Sequence, residues 1–297
     1  MNVLISGGTG LVGSRLANLL ISEGHQIRIL SRGRTNTDQQ IFHWDYEKGI
    51  LDEDALIDLD VVVHLAGTSV ADGRWTKNRK KDIVDSRVKT AELIFQKLAK
   101  RGQTLRTYVS ASGTGFYGNR PNEQLSETSS KGSGFLTDVC DQWEKSASNF
   151  AQLNAKIYVN RIGIVLSTEG GYIGKMKELF RFGLGAELGS GKQIMSWIHI
   201  DDLVRIVSYQ IDHKLAPGTY NSVAPQRLSH HDLMRQLAKK LGRKIWLPNV
   251  PKFALKILFG ELSVELTASQ DAYPEQLINQ KFPYLYDQLP AALDELL

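Results

Sequence analysis

With 297 residues, the chain can form one large α/β unit or two smaller domains and can bury roughly three-quarters of its unfolded surface. A single cysteine, Cys140, excludes a disulfide framework or a four-cysteine zinc site. With neither a basic leader nor an apolar stretch of about 18 residues, secretion and membrane insertion have no signal, so the cytoplasm is the expected compartment. The net charge of +4 does not indicate nucleic acid, because the one dense basic run, Arg74 to Lys81, is broken by Trp75 and followed by Asp82 and Asp85, as a solvated face would be.

Asn2 to Ser6 is an apolar run with glycines directly behind it, and Leu11, Val12, Leu16, Leu19 and Leu20 follow at helical spacing. The chain therefore opens strand, loop, helix. Gly24 stops that helix, and Gln26 to Leu30 alternates as a second strand. Further strands are expected at Val61 to Leu65, Thr107 to Ala111 and Lys156 to Ile162, with helices near Ser86 to Arg101 and Asp138 to Leu153 between them. Strands alternating with helices of this length call for right-handed crossovers, which predicts an α/β fold with a Rossmann-type doubly wound parallel sheet. Beyond Leu166, Gly-rich loops surround a helix from Lys175 to Phe182. The strand Trp197 to Ile200 then leads through Asp201 and Asp202 into a helix from Leu203 to Ile211. A strand at Tyr220 to Val223, a helix at Ser229 to Leu241 and a Pro-punctuated tail end the chain. The expected division is a cofactor-binding core over 1–165, rejoined by 197–213, and a smaller C-terminal α/β lobe on the substrate side from 166–196 and 214–297.

Gly7, Gly10 and Gly13 form G-x-x-G-x-x-G, and Gly8, Gly10 and Gly13 form G-x-G-x-x-G, between the first strand and helix. Glycines in that turn, with Thr9, Leu11 and Val12 completing it, let the backbone approach a pyrophosphate at the positive end of the helix. The second strand ends in Ser31-Arg32-Gly33-Arg34, where an acid would be needed to hold an adenosine 2′-hydroxyl. A hydroxyl and guanidinium groups suit a 2′-phosphate instead. NADP is expected over NAD.

The segments GGTGLVG (Gly7 to Gly13), DVVVHLAG (Asp60 to Gly67), SASGTGFYG (Ser110 to Gly118), NRIGIVL (Asn160 to Leu166) and WIHIDDL (Trp197 to Leu203) occur in that order. Together they resemble the extended short-chain dehydrogenase/reductase and nucleotide-sugar epimerase superfamily over nearly the whole chain. RWT at Arg74 to Thr76, Ser86-Arg87, DVCDQWE at Asp138 to Glu144 and SQDAYPEQL at Ser269 to Leu277 narrow the resemblance to the YfcH-like "epimerase family protein" branch, with its C-terminal domain of unknown function. The resemblance implies that Leu65, Ala66, Gly67 and Ser110 lie against the cofactor, that Asp45 lies near the adenine, and that Ser112 hydrogen-bonds the reacting oxygen. It also implies a catalytic Tyr followed four residues later by a Lys, whose charge favours the phenolate. Here Cys140 stands in the place of the Tyr and Glu144 in that of the Lys.

Without that pair, Tyr117, Cys140 and Glu144 are the candidates for proton handling, each also readable as packing or support. Arg74, Lys81 and Arg87 follow the strand bearing Ala66 and Gly67 and are candidates to bind an anionic group of a small-molecule substrate, while Trp75 either stacks on ligand or fills core. His199 reads as a core histidine and His230-His231 as a solvated pair at a helix start, and no spacing of His or carboxylates suggests a metal. The expected activity is that of an NADP-dependent oxidoreductase or epimerase acting on a small or nucleotide-linked alcohol or carbonyl compound. The alternative is a non-catalytic NADP-binding regulatory or interaction protein. Neither nucleic acid nor membrane is an expected partner, and assembly into oligomers stays open.

Overall fold

In chain order the elements are β1 (Asn2–Ser6), α1 (Leu11–Ser22), β2 (Gln26–Ser31), β3 (Ile41–Asp45), β4 (Ile50–Leu51), β5 (Val61–His64), α2 (Lys77–Lys100), β6 (Thr107–Gly113), β7 (Arg120–Leu125), α3 (Phe135–Ser148), β8 (Lys156–Ile162), β9 (Ile164–Leu166), α4 (Gly171–Arg181), β10 (Trp197–His199), α5 (Ile200–Ile211), β11 (Gly218–Ser222), α6 (His230–Lys240), α7 (Lys252–Phe259), α8 (Leu262–Leu266), β12 (Gln270–Ala272), α9 (Glu275–Asn279) and α10 (Leu289–Leu296). They come from a computed structural model that describes residues 1–297.

Eight strands form the central sheet in the order β11-β8-β6-β5-β1-β2-β3-β4. All neighbours are parallel except the short β4, which turns back on β3. Both faces are covered, so successive residues of one strand enter different cores. Val3 and Ile5 pack with Leu16 and Leu20 of α1 and with Leu203 and Val207 of α5, whereas Leu4 packs with Leu93, Ile94 and Leu98 of α2. This explains the unbroken Val61-Val62-Val63 run of β5, in which no residue can face water. Each such side chain stabilises the fold by roughly 1.5–3 kcal/mol. The expected doubly wound parallel sheet is present.

Two differences from the expected elements bear on the site. The helix expected from Ser86 begins at Lys77, where the Thr76 hydroxyl accepts from the Arg79 amide at 3.2 Å, so the basic run before Asp82 is a helix start. β11, read as part of the substrate-side lobe, is an edge strand of the central sheet beside β8. Much of the C-terminal part builds a separate core from Ile173 and Phe180 of α4, Leu233 and Leu237 of α6, and Leu289 and Leu293 of α10, while Leu277 and Phe282 join the core of the central sheet. Two small parallel pairs, β9–β10 and β7–β12, join this part to the sheet. No helix is long and apolar enough to cross a membrane.

Candidate functional site

The β1–α1 turn lies against the carboxyl end of β5. A Cβ on Gly7 would stand 2.8 Å from the Ala66 nitrogen, and one on Gly13 would stand 2.2 Å from the Gly7 carbonyl oxygen. Backbone thus packs on backbone, leaving a cleft lined by Gly7, Thr9, Gly10, Ser31, Leu65 and Gly67. No side chain caps α1, so its first-turn amides and positive end are available to an anion. Gly8 has another task, since its missing Cβ makes room for Ile29 of β2. Leu11 packs toward Gly171, and Val12 packs against the α1–α5 core.

At the outer end, Arg32 lines the cleft beside Trp44 and Tyr46 and has no hydrogen-bond or ion-pair partner. The Ser31 hydroxyl accepts from the Gly33 amide at 3.1 Å. Asp45 is nearby, but it accepts from the Glu47 and Lys48 amides and faces the Lys48 ammonium at 3.2 Å, whose hydrogen bond holds its carboxyl below the usual range. Ser110 does not reach the cleft. It is fully buried in β6, its hydroxyl turned to the Ala111 carbonyl.

The other end is built from β6, α3 and β8. Ser112 donates to Glu144 Oε1 at 2.7 Å, and Arg161 grips the same carboxylate through Nε and Nη2, both at 2.9 Å. Arg161 Nη1 donates to the Tyr117 oxygen at 2.9 Å, and that phenol donates to Asn221 Oδ1 at 2.7 Å. Burial raises the Tyr117 phenol, and its oxygen is already bonded on both sides, so a proton-relay role gains no support from the geometry. Cys140 lies against Gly113 and Gly115, and burial pushes its thiol up to about 11, which leaves it protonated at neutral pH. Leu136, one turn earlier on α3, faces Gly115. Cys140 and Glu144, one turn apart on α3, thus both stand at the end of β6, the first against Gly113 and Gly115 and the second held by Ser112 and Arg161.

Of the four substrate-side candidates, three are engaged elsewhere. Arg74 donates to the carbonyls of Ile257 and Leu258, capping the end of α7, where the helix dipole favours a cation. The indole of Trp75 donates to the Val70 carbonyl at 2.8 Å and packs edge-on against Phe135 at 4.9 Å, so it fills core. Lys81 is exposed and paired with Asp85 at 2.6 Å. Arg87 alone remains beside the cleft, buried against Gly67 and over the Trp143 ring at 4.9 Å, with its charge disfavoured by burial, which brings it down to about 10.

Several functional neighbours escaped the sequence reading. Arg161 stands in the NRIGIVL segment, and only its pairing with Glu144 reveals its importance. Trp44, Tyr46, Thr68 and Ser86 line the cleft, and the Ser86 hydroxyl accepts from the Thr68 amide at 2.9 Å. His64 is buried beneath it. Because its Nε2 must donate to the Arg87 carbonyl at 2.9 Å, its Nδ1 accepts from the Ser6 hydroxyl at 2.6 Å. His230 is also buried rather than solvated, beside the Tyr172 hydroxyl. His199, Asp201 and Glu295 come together, but each is already engaged. His199 accepts from the Asp201 amide and pairs with Glu295 at 2.9 Å, and Asp201 holds Arg15.

Residues 3–134 match the NAD dependent epimerase/dehydratase family, and residues 250–296 match a domain of unknown function, DUF1731. An epimerase family protein of Mycobacterium leprae is 32% identical over 293 residues, covering 98% of this chain and 94% of the relative. One from Staphylococcus aureus is 32% identical over 302 residues, covering 99% and 98%. The crystal structure of the human epimerase family protein SDR39U1 (isoform 2) with NADPH superposes with a TM-score of 0.89 at 29% identity, covering 100% of this chain and 99% of that one. A UDP-N-acetylglucosamine 4-epimerase from Bacillus cereus, 18% identical with a TM-score of 0.75 and covering 100% and 98%, shares the fold.

Proposed function

The chain belongs to the NAD dependent epimerase/dehydratase family, and from that premise we propose that it is an NADP-dependent oxidoreductase or epimerase of nonstandard mechanism, acting on a small or nucleotide-linked alcohol or carbonyl compound. The observation that carries this reading is the unpaired Arg32 guanidinium in the same cleft as the uncapped start of α1. Gly7, Thr9 and Gly10 with the first-turn amides would hold the pyrophosphate, Ser31 and Arg32 the 2′-phosphate, Trp44 and Tyr46 the adenine, and Leu65 to Gly67 the nicotinamide half. NADPH solved with the human relative supports the same choice. The bound cofactor supplies a hydride donor or acceptor.

Ser112 orients the substrate oxygen. With its proton directed at Glu144, its free lone pairs accept from an alcohol; turned toward the cleft, the same proton would be donated to a carbonyl oxygen. Glu144, held twice by Arg161, acts by fixing Ser112 rather than as a base. No Tyr lies on α3, and its one lysine, Lys145, is exposed and paired with Asp141. Tyr117 is already bonded on both sides and Cys140 is packed against Gly113 and Gly115, so a nonstandard group or water handles the proton. The test is NADPH oxidation, followed by its absorbance, across a panel of carbonyl compounds. Ser112→Ala is expected to depress turnover while NADPH affinity holds. A second reading, a regulatory NADP-binding protein, is favoured by the closure of Ser112, Glu144, Arg161 and Tyr117 upon one another. Tight NADPH binding with no oxidation of NADPH by any panel carbonyl, and no epimerisation of any alcohol offered with NADP⁺, would select it.

A further inference from the structure

Two arginines are buried near the end of β6, and they are treated differently. Arg161 has a carboxylate held by two hydrogen bonds. Arg87, nine-tenths buried, has none: its Nη1 donates only to the carbonyls of Thr68 at 3.1 Å and Ile83 at 2.8 Å. Taking a cation out of water without an anion costs several kcal/mol, so an arrangement that keeps one in place needs a reason.

The surroundings hold this guanidinium firmly and leave one edge free. Trp143 covers one side, with the charge 4.9 Å from the ring centre. On the other, a Cβ on Gly67 would stand 2.7 Å from Arg87 Cζ, 3.0 Å from Nη2 and 3.1 Å from Nε, so the absence of that carbon is what admits the group to the cleft wall. The buried His64 anchors the backbone of the same helical turn through the Arg87 carbonyl. Nε and Nη2 carry no protein acceptor, and neither is among the fully buried unpaired atoms, so this edge keeps access to solvent next to Gly67 of the cleft wall. Two parallel N–H donors in one plane match the two oxygens of a carboxylate.

We propose that the Nε–Nη2 edge of Arg87 binds a carboxylate of the substrate, which makes the substrate a carboxylate-bearing alcohol or carbonyl compound. This rests on the oxidoreductase reading above and narrows its substrate class.

The experiment measures ligand binding, so it does not depend on turnover. The protein saturated with NADPH is titrated calorimetrically with malonate, inorganic phosphate and, as a neutral control, glycerol. Malonate is expected to bind and glycerol not. Arg87→Met is expected to weaken malonate at least about tenfold, and Arg87→Lys, which keeps the charge but loses the fork, by less, while NADPH affinity stays within about twofold. Arg87→Gln is the second variant, needed if Arg87→Met does not fold. It keeps hydrogen-bond donors but loses the charge and the fork, and the same loss of malonate binding is expected. The proposal is overturned if malonate does not bind the wild-type complex, if its affinity is unchanged in these variants, if phosphate binds more tightly than malonate, or if NADPH affinity falls in step with malonate affinity. Arg87-dependent malonate binding without oxidation of NADPH by any carboxylate-bearing carbonyl compound would leave the carboxylate site standing and remove the oxidoreductase reading.

Discussion

The two ends of the cleft are made of similar groups arranged to opposite effect. At the β1–α1 turn the first-turn amides, the Thr9 hydroxyl and the Arg32 guanidinium have no side-chain partner, and the glycines keep them within reach of a ligand. At the ends of β6 and β8, Ser112, Glu144, Arg161, Tyr117 and Asn221 form a closed chain in which each group has its partner. A polar group that the fold satisfies internally serves stability, whereas one that the fold leaves open is available to a ligand. Arg87 belongs to the open class although it stands at the satisfied end, which is why it separates from Arg74 and Lys81.

The sharpest way to break the contrast is Glu144→Ala. Arg161 would keep its buried charge with no carboxylate, and urea unfolding should show a loss of about 3–5 kcal/mol while NADPH affinity hardly changes. An unchanged unfolding midpoint would mean that the closed chain is not structural.

Acid should reach the support beneath the cleft next. His64 is fully buried, and burial holds its imidazole down to about 4, against 6.5 for a free histidine. Its contribution is complete above pH 6.5 and is lost as the pH falls toward 4, because the unfolded chain takes up the proton first. The acid limb should carry on the order of 3 kcal/mol from this residue, and His64→Gln should flatten it in a pH series of unfolding curves. A limb of unchanged slope would assign the acid sensitivity to other groups.

At the open end, Gly13→Ala would set a Cβ 2.2 Å from the Gly7 carbonyl oxygen. Displacing the turn should cost about 1–3 kcal/mol and weaken NADPH binding, as unfolding and calorimetry together would reveal. Retention of full NADPH affinity would show that the turn is not the pyrophosphate site. The smallest effect is expected from Cys140→Ser, since the thiol is protonated and packed. Stability should fall by less than about 1.5 kcal/mol, and any turnover should persist. Loss of turnover would give the thiol a chemical role.

The open end was legible because its geometry is written in residue types. Only glycine tolerates the approaches at Gly7 and Gly13, and the unbroken apolar runs of β1 and β5 admit only a doubly covered strand. The missed strands carry weaker patterns. β7 reads RPNEQL and is largely exposed, and β3 alternates only over five residues. The start of α2 was hidden by a charged stretch in which Thr76 is the sole cap signal. The satisfied end was harder for a different reason. Whether Glu144 or Arg87 has a partner depends on which strands bring Arg161 near one and no carboxylate near the other, and no local pattern encodes that.

The most direct test compares NADPH with NADH by calorimetry, in the wild type and in Arg32→Ala. An open guanidinium beside the adenine end should give the wild type a preference for NADPH, and Arg32→Ala should weaken NADPH roughly ten- to a hundredfold while leaving NADH nearly unchanged. Equal affinities in the wild type, or equal losses for both cofactors in the variant, would contradict the assignment of the cleft to NADP.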